Sequence, residues 1–299
     1  MRVLVLGSKG QLGLCLYDQL IKTDYEVTYV SRADIDVGDL LSLNEKILSI
    51  KPDVVINASA YTAVDKAEND RKMVDLINHL AVDNLANACK NLGSWLIHVS
   101  TDYVFDGTAI KPYSEDDQVN PQTEYGESKL NGELAIKRSG CNHIIIRTAW
   151  VFSEYGYNFL TTMLRLGANR DELNIVGDQV GCPTYAQDIA KAIVSILPSL
   201  DSKISASGVF HYCGDQSCSW YEFAQAIFVE AEACGLKIPN RINSIETSEY
   251  VTSAIRPAYS VLDCSKIDNT FGIAPSNWRY GVKYVLKKMI NDGLIHSTS

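Results

Sequence analysis

The stretch RVLVLGSKGQLG, residues 2–13, decides the fold of this 299-residue chain. Its first five residues are mostly apolar, which is typical of a buried strand, and helically spaced leucines follow the glycines. Between strand and helix, Gly7, Gly10 and Gly13 would permit a tight turn, a close approach of pyrophosphate to the backbone, and close packing of the helix on the strand. The stretch therefore predicts a dinucleotide-binding turn. The alternative is that the glycines serve the turn alone.

The first half of the chain continues this alternation of strands and helices. Further strands are predicted at 26–30, 53–57, 94–100 and 143–148, and helices at 10–21, 39–50, 70–92 and 123–139. In the helix at 70–92 we expect Leu76, Leu80, Ala81, Leu85 and Ala88 to face the core. Strands that are apolar along their whole length are typical of a parallel sheet covered on both faces. The predicted fold class is α/β, a Rossmann-type doubly wound parallel sheet.

After about residue 150 the pattern becomes less regular. Helices are predicted at 157–169, 185–197, 219–233 and 279–293, with short strands at 174–176 and 209–212. We therefore expect residues 1–150 to form an NAD(P)-binding Rossmann domain. Residues 151–299 would form mainly a smaller α/β lobe that binds the substrate, with some segments returning to the first sheet.

The composition argues against several kinds of partner. The net charge of -9 and the pI of about 5.1 disfavour binding to nucleic acid. No apolar run reaches the roughly 18 residues of a membrane span, and the N-terminal apolar run is too short for a secretory signal, so we expect a cytoplasmic protein without a membrane partner. The eight cysteines are scattered and form no C-x-x-C, which predicts reduced thiols that pack as small hydrophobes, and no metal site.

The end of the second predicted strand bears on the choice of cofactor. An NAD site usually has an acid there for the ribose hydroxyls, whereas Ser31 and Arg32 suit the 2′-phosphate of NADPH. Asp39 follows a few residues later and is placed to reach the adenine. NADPH is therefore the predicted cofactor, with NADH as the alternative. Arg32 also has a plainer interpretation, as a solvated loop residue.

Hydroxyl groups and a lysine gather around the end of the fourth predicted strand. Ser100 and Thr101 end that strand, and Tyr125 and Lys129 lie four residues apart at the start of the next helix, so their side chains share one face. In carbonyl reduction a hydroxyl binds the carbonyl, a tyrosine passes the proton, and a lysine lowers the pKa of the tyrosine. The same spacing alone also fits an ordinary surface pair. The glycine turn and the strand end favour the catalytic interpretation.

With these residues in place, the chain resembles the extended short-chain dehydrogenase/reductases, and within them the dTDP-4-dehydrorhamnose reductase family. The similar stretches follow one another in order over nearly the whole chain. They are GSKGQLG (7–13), NASAYTAVDKAE (57–68), VSTDYVFDG (99–107), YGESKLNGE (125–133), RTAWVF (147–152), GYNF (156–159), DQVGCPT (178–184) and SAIRPAYS (253–260).

The resemblance implies a role for each matching residue. The cofactor would be held by Gly10, Gln11 and Leu12 at the pyrophosphate, Asp39 and Leu40 at the adenine, and Ser59, Ala60 and Tyr61 past the third strand. Thr101 would bind the C4 keto oxygen, Tyr125 would be the general acid, and Lys129 its partner. The nucleotide-sugar substrate would contact Asp102, Trp150, Asn158 and Arg256. For Trp150 a core position and for Arg256 a carboxylate partner are the alternatives.

The implied activity is hydride transfer from NAD(P)H to C4 of dTDP-4-dehydro-L-rhamnose, the last step of dTDP-L-rhamnose synthesis. One alternative is a nucleotide-sugar epimerase, which would retain its cofactor. A dehydratase is disfavoured because no Glu follows Asp102 in STDYVF. Another alternative is a non-catalytic NADP-binding regulatory subunit, since a relative of the family regulates an enzyme that makes S-adenosylmethionine. Turnover would separate these hypotheses.

The chain also departs from the family pattern. Leu14 and Cys15 stand where members often carry a carboxylate, and Gln187 stands where some have a second acid. In some members these acids bind a metal that links a dimer, so their absence favours a monomer or a weak homodimer. Tyr259 replaces a common Asn without removing a catalytic group.

Overall fold

The computed structural model describes residues 1–201 and 207–296 of the chain. Its strands are β1 (Arg2–Leu6), β2 (Glu26–Val30), β3 (Val54–Asn57), β4 (Trp95–Thr101), β5 (Asn142–Thr148), β6 (Val151–Phe152), β7 (Glu172–Val176), β8 (Val180–Gly181), β9 (Thr184–Tyr185), β10 (Gly208–His211), β11 (Cys218–Ser219) and β12 (Arg241–Ile245). Its α-helices are α1 (Gln11–Leu20), α2 (Leu40–Ile50), α3 (Val64–Ala67), α4 (Arg71–Asp75), α5 (Ala81–Leu92), α6 (Glu124–Ser139), α7 (Phe159–Asn169), α8 (Ala186–Asp201), α9 (Trp220–Ala233), α10 (Ser265–Phe271) and α11 (Trp278–Asn291).

Six of these strands form one sheet in the order β2-β1-β3-β4-β5-β10, and every neighbouring pair is parallel. From β1 the chain first moves outward to β2 and then returns to the other side of β1 with β3. This reversal creates a crevice at the carboxyl ends of β1 and β3, where doubly wound sheets bind their ligands. The predicted fold class is confirmed.

Both faces of the sheet are covered by helices, which explains the uninterrupted apolar strands. Val3 and Val5 of β1 pack in one buried cluster with residues of α1 and α8, while Leu4 and Leu6 pack in another with residues of α2 and α5. All four side chains are buried. A strand covered on both faces needs apolar side chains at every position, not only at alternate ones.

The second half of the chain contributes both to this sheet and to a core of its own. β10 pairs with β5 at the edge of the main sheet, and α8 packs against α1. α7, α9 and α11 enclose a separate apolar cluster that includes the fully buried Trp278. The division of the chain near residue 150, with a binding role for each part, stays a prediction.

The single helix predicted at 70–92 is interrupted. A π-helical segment, Leu76–Leu80, lies between α4 and α5. The wider turn changes the face that each side chain occupies, so Leu80 is 41% exposed while the polar Asn78 is buried. The prediction that Leu80 faces the core was therefore wrong, and Leu76 is only partly buried. Ala81, Leu85 and Ala88, which follow the segment, are buried as predicted.

All eight cysteines carry free thiols, and seven of them are buried. The prediction that they pack as small hydrophobes is confirmed for those seven. Within residues 1–201 and 207–296, none of the helices combines the length and the apolar character needed to cross a membrane.

Candidate active site

The glycine turn that joins β1 to α1 is built so closely that side chains are excluded. Gly7 has φ +79°, and a Cβ there would lie 2.7 Å from the backbone nitrogen of Ser59. A Cβ on Gly13 would collide with the carbonyl oxygen of Gly7. Gly10 is the N-cap of α1 and provides no side-chain cap. The first turn of the helix is thus left open to an anion at the carboxyl end of β1, which fits the pyrophosphate of a dinucleotide.

Gln11, the first residue of α1, is held by a loop from the second half of the chain. Its Oε1 accepts hydrogen bonds from Ser153 Oγ at 3.0 Å and from Asn158 Nδ2 at 2.9 Å. The Oδ1 of Asn158 also caps α7 by accepting from the Thr161 backbone nitrogen at 3.1 Å. The amide of Asn158 is therefore engaged within the protein on both sides. Its predicted contact with substrate stays a prediction.

The residues predicted to bind the adenosine lie at the rim of the sheet. The Ser31 hydroxyl donates to Asp34 at 2.6 Å, and the side chain of Arg32 is 82% exposed, with a weak 3.5 Å pairing to Asp36. Asp39 caps α2 through Ser42, and these hydrogen bonds lower the pKa of its carboxyl. Leu40 begins the same helix. Arg32 is free to turn toward a 2′-phosphate, whereas Ser31 and Asp39 already have partners.

The loop after β3, which carries Ser59, Ala60 and Tyr61, is fixed to the helix opposite by Asn78. The side chain of Asn78 accepts from the Tyr61 backbone nitrogen at 2.9 Å and donates to the Tyr61 carbonyl at 3.1 Å. It also donates to Ser128 Oγ in α6 at 3.0 Å. The π-helical segment turns the amide of Asn78 inward, and this amide joins the predicted cofactor loop to α6.

Thr101 and Tyr125 meet where β4 ends and α6 begins. Thr123 caps α6 by accepting from the Gly126 backbone nitrogen at 3.0 Å, which places Tyr125 in the first turn. Burial raises the pKa of the Tyr125 hydroxyl well above its ordinary value, a hydrogen bond with Thr101 opposes this, and the charge of Asp102 adds to it. The hydroxyl of Tyr125 is therefore held in its protonated form at neutral pH.

Asp102 lies buried directly after Thr101 and accepts a hydrogen bond from the Thr101 hydroxyl at 2.9 Å. Burial raises the pKa of its carboxyl to about 6, although hydrogen bonds with Ser260 and Thr101 oppose the shift. A carboxyl with this pKa changes charge close to physiological pH. Its predicted contact with the sugar stays a prediction.

Lys129 is only 1% exposed and its amine points into the sheet. Its Nζ donates to the Val99 carbonyl at 2.6 Å and lies 3.1 Å from His98 Nε2, both in β4. Neither hydrogen bond goes to Tyr125, because the closest polar atoms in this dry environment belong to β4. Burial lowers the pKa of the amine to about 8, and the carboxylate of Glu133 opposes this.

Trp150 follows β5 with a left-handed backbone, φ +47°. Its indole ring stacks on that of Trp220 at a centroid distance of 3.4 Å, and a Cβ on Gly181 would collide with the ring. The partly exposed Trp150 is thus fixed from two sides and presents an aromatic surface beside the second core. Its predicted packing against a hexose stays a prediction.

Arg256 is connected to Tyr125 indirectly, through the side chain of Tyr103. It donates to Asp65 at 2.8 Å and to the Tyr103 hydroxyl at 3.4 Å, and Tyr103 packs edge-on against Tyr125 at 5.5 Å between ring centroids. The alternative given for Arg256, a carboxylate partner, is therefore present in the structure. Its predicted role toward the diphosphate stays a prediction.

Sequence reasoning missed three polar residues under the site: Asn57, His98 and Glu133. Asn57 and His98 belong to strands whose other members are mostly apolar, and Glu133 lies on the buried face of α6. A polar residue inside an apolar strand requires a partner, and this signal could have found the first two. Nothing in the spacing of Glu133 predicts its buried partner, Arg147.

A parallel sheet with an open glycine turn at its point of reversal, and a Thr–Tyr–Lys set two strands further along, is the arrangement of the extended short-chain dehydrogenase/reductases. The fold and the site place the chain in that class. More narrowly, the family model described as the RmlD substrate binding domain matches residues 1–291, and the chain belongs to this family.

Relatives and solved structures agree with this assignment. A dTDP-4-dehydrorhamnose reductase of Sinorhizobium fredii is 41% identical and is aligned over 98% of this chain and 99% of its own. A dTDP-4-dehydrorhamnose reductase of Clostridium acetobutylicum superimposes with a TM-score of 0.90 at 37% identity, covering 97% of this chain and 99% of that one. A dTDP-4-dehydrorhamnose reductase of Bacillus anthracis in complex with NADP gives 0.89 at 33% identity, covering 96% and 99%.

Proposed function

We propose that the protein reduces the C4 keto group of dTDP-4-dehydro-L-rhamnose to dTDP-L-rhamnose with NAD(P)H, the last step of dTDP-L-rhamnose synthesis. The observation that carries this is the placement of buried Thr101 at the end of β4 and of buried Tyr125 and Lys129 in the first turns of α6, on the same sheet edge as the open glycine turn. The names of relatives aligned over nearly their whole length support the same activity. The NADP complex of the B. anthracis relative supports NADPH as the cofactor.

The residues at the glycine turn fit such a cofactor on the protein's own geometry. Side chains are excluded at Gly7 and Gly13, and the N-terminus of α1 is left without a side-chain cap. Gln11 and Leu12 begin the helix beside this opening, and Arg32 stands exposed at the end of β2 to meet a 2′-phosphate. When bound, the reduced nicotinamide supplies the hydride.

Three side chains would then manage the oxygen and its proton. The Thr101 hydroxyl, which donates to Asp102 in this structure, would turn to donate a hydrogen bond to the C4 oxygen, where negative charge develops. Tyr125 would deliver its proton to that oxygen, and the raised pKa keeps the proton in place until it is needed. Lys129, whose pKa is lowered to about 8, would stabilise the tyrosinate as the ammonium.

The substrate would lie between the sheet edge and the second core. Trp150 offers an aromatic surface there. Arg256 offers a positive charge that is partly neutralised by its ion pair with Asp65. Asp102 would face the sugar hydroxyls, and Asn158 would act mainly through Gln11. These four assignments are part of the proposal.

The activity is tested by following the oxidation of NADPH and of NADH spectrophotometrically with dTDP-4-dehydro-L-rhamnose. We expect turnover with both substrates present, a preference for NADPH, and dTDP-L-rhamnose as product. A protein that binds NADPH without consuming it would instead match a regulatory subunit, and one that interconverts sugars without net oxidation of cofactor would match an epimerase.

The state of assembly and the location belong to the same proposal. The side chains of Leu14, Cys15 and Gln187 offer no carboxylate for a metal between two copies, so we expect a monomer or a weak homodimer in the cytoplasm, without nucleic acid. Light scattering across a range of protein concentrations, with and without added divalent cations, measures the assembly.

A further inference from the structure

A chain of hydrogen bonds runs beneath the candidate site from the predicted cofactor loop to the predicted catalytic lysine. Ser59 Oγ donates to Asn57 Oδ1 at 2.6 Å, and Asn57 Nδ2 lies 3.1 Å from His98 Nδ1. His98 Nε2 then lies 3.1 Å from Lys129 Nζ. Asn57, His98 and Lys129 are all buried. In a buried position without water, each hydrogen-bond donor must face an acceptor on a neighbouring group, and each acceptor must face a donor.

The orientation of the Asn57 amide is decided by a backbone group. The Ser59 backbone nitrogen lies 3.1 Å from one atom of the amide and can only donate, so that atom is the oxygen Oδ1. The other atom, the nitrogen Nδ2, then faces His98 and donates to Nδ1. Exchanging the two would place two donors against each other at Ser59 and is therefore excluded.

The orientation of Asn57 fixes the tautomer of His98. Because Nδ1 accepts a hydrogen bond, the neutral imidazole carries its proton on Nε2. That N–H points at Lys129 Nζ, whose own hydrogen bond goes to the Val99 carbonyl at 2.6 Å. An ammonium would oppose one donor with another, whereas a neutral amine accepts the N–H through its lone pair.

We propose that His98, oriented by Asn57, is a positioning residue that favours the neutral amine of Lys129 over the ammonium and so sets the pH above which this lysine loses the charge used in the proposed reaction. Nothing in the Thr–Tyr–Lys set itself requires a histidine here. The structural claim stands on the hydrogen bonds alone, while its effect on turnover rests on the proposed function.

Two other charged groups, Glu133 and Arg147, bear on Lys129 or its helix. Glu133, one turn further along α6, favours the ammonium. Its carboxylate is already paired with Arg147 of β5 at 2.9 and 2.7 Å and accepts from Ser100 at 2.6 Å, which reduces its influence. Burial lowers the pKa of His98 well below its ordinary value, so the imidazole is neutral at pH 7.

The substitution Asn57→Asp reverses the direction of the hydrogen bonds that run from residue 57 through His98 to Lys129, with almost no change in the shape of the side chain. One carboxylate oxygen can still accept from Ser59, but the other can only accept, so it draws the His98 proton to Nδ1. Nε2 then becomes an acceptor for an N–H of Lys129, and the ammonium is favoured. The matched control is Asn78→Asp, because Asn78 is also buried and bonded to α6 but has Tyr61 and Ser128, not His98, as its hydrogen-bond partners.

The tautomer is measured directly by two-bond ¹⁵N–¹H correlation of protein labelled in its five histidines, with His98 assigned through backbone correlations. We expect Nε2–H in the unaltered protein and in Asn78→Asp, and Nδ1–H in Asn57→Asp. Nδ1–H or an imidazolium in the unaltered protein at pH 7 overturns the proposal. This first measurement needs no variant and no activity.

The charge of Lys129 is followed by the ¹³Cε shift of lysine across the pH range, and the rate of reduction is followed in parallel. In Asn57→Asp we expect the titration, and the fall of the rate at high pH, to move up by about one pH unit or more. An equal shift in Asn78→Asp contradicts the proposal. If the tautomers are as expected but no form of the protein turns over, the proposed function has failed and the positioning role of His98 stands.

Discussion

Asn158 and Gln11 share a 2.9 Å hydrogen bond, although 147 positions separate them in the chain. Asn158 is the N-cap of α7 in the second half of the protein, while Gln11 is the first residue of α1 at the glycine turn. Ser153 adds a second hydrogen bond to the same Gln11 oxygen. A ligand bound on the glycine turn would therefore be separated only by the side chain of Gln11 from the segment of Ser153 and Asn158, which leads into α7 and the second core.

The substitution Asn158→Ala should weaken both cofactor binding and the fold. Losing the cap of α7 costs about 1 kcal/mol in the free energy of unfolding, and Gln11 loses one of the two donors to its side-chain oxygen. We expect a lower melting temperature and a higher Kd for NADPH, measured by calorimetry. The control is Ser219→Ala, which removes the cap of α9 without touching Gln11. That variant should lose similar stability while binding NADPH normally.

The substitution Tyr125→Phe should lower kcat by roughly two to four orders of magnitude, because the proton donor is removed. The Kd for NADPH should stay within about a factor of three, since the hydroxyl contributes to the chemistry more than to binding. Stopped-flow reduction and fluorescence titration measure the two quantities. Tyr103→Phe, which removes the hydroxyl next to Arg256 but keeps the ring against Tyr125, should lose far less in kcat. Near-normal turnover in Tyr125→Phe would remove this residue from the mechanism.

Asp102 should make the protein less stable as the pH rises. Its pKa is raised from 3.8 to about 6 in the fold, so the protonated carboxyl is the favoured form, and this contribution to stability is complete below about pH 4 and lost through pH 6. Asp102→Asn, which keeps an acceptor for Thr101, should raise the free energy of unfolding at pH 8 by up to about 3 kcal/mol. Urea unfolding at pH 5 and pH 8 measures the difference.

Asp106 should show the opposite pH dependence of stability in the same urea unfolding experiment. Hydrogen bonds from Thr108 and Tyr113 lower the pKa of this carboxyl, so its contribution to stability is present above the unfolded pKa and lost as the pH falls through the folded one. Asp106→Asn should therefore destabilise the protein at neutral pH and have little effect in acid. A common pH trend for both variants would contradict the assignment for Asp102.

Removing one of the two charges of the buried ion pair Glu133–Arg147 should strongly lower the free energy of unfolding. Both side chains are almost completely buried, and the pair is bidentate. Glu133→Gln leaves the guanidinium of Arg147 uncompensated, and we expect a loss of about 3–5 kcal/mol in the free energy of unfolding. Glu172→Gln, in the exposed pair with Arg241, should change it by less than about 1 kcal/mol. Chemical denaturation of the two variants tests the contrast.

The parts of the fold that follow from local pattern could be predicted from the sequence. β1 is apolar from Val3 to Leu6, and β5 from Ile144 to Ile146, because both faces of the sheet are covered, and the glycines of the first turn are spaced by the geometry of that turn. Tyr125 could be placed because Thr123 caps α6 by a rule that acts within four residues.

What could not be predicted depends on contacts between distant segments. Periodicity assigned Leu80 to the core because a regular helix was assumed, whereas the π-helical segment is justified only by the reach of Asn78 to Tyr61 and Ser128. The partners of Lys129 lie in β4, and the sequence of α6 carries no sign of them. The substrate contact of Asn158 is predicted from the resemblance alone, and the hydrogen bonds of its amide to Gln11 and to the first turn of α7 cross between segments that no local pattern connects.

The pairing of β10 with β5 also bears on how the chain is synthesised. The edge of β5 that β10 covers runs along Ile144, Ile145 and Ile146, and it stays open until the ribosome has released residues far beyond the glycine turn and the whole Thr–Tyr–Lys set. An open edge of this composition is a template for pairing between nascent chains. The first half of the molecule is thus complete in sequence before this sheet edge is covered, and the protection of the edge during translation depends on the half that follows.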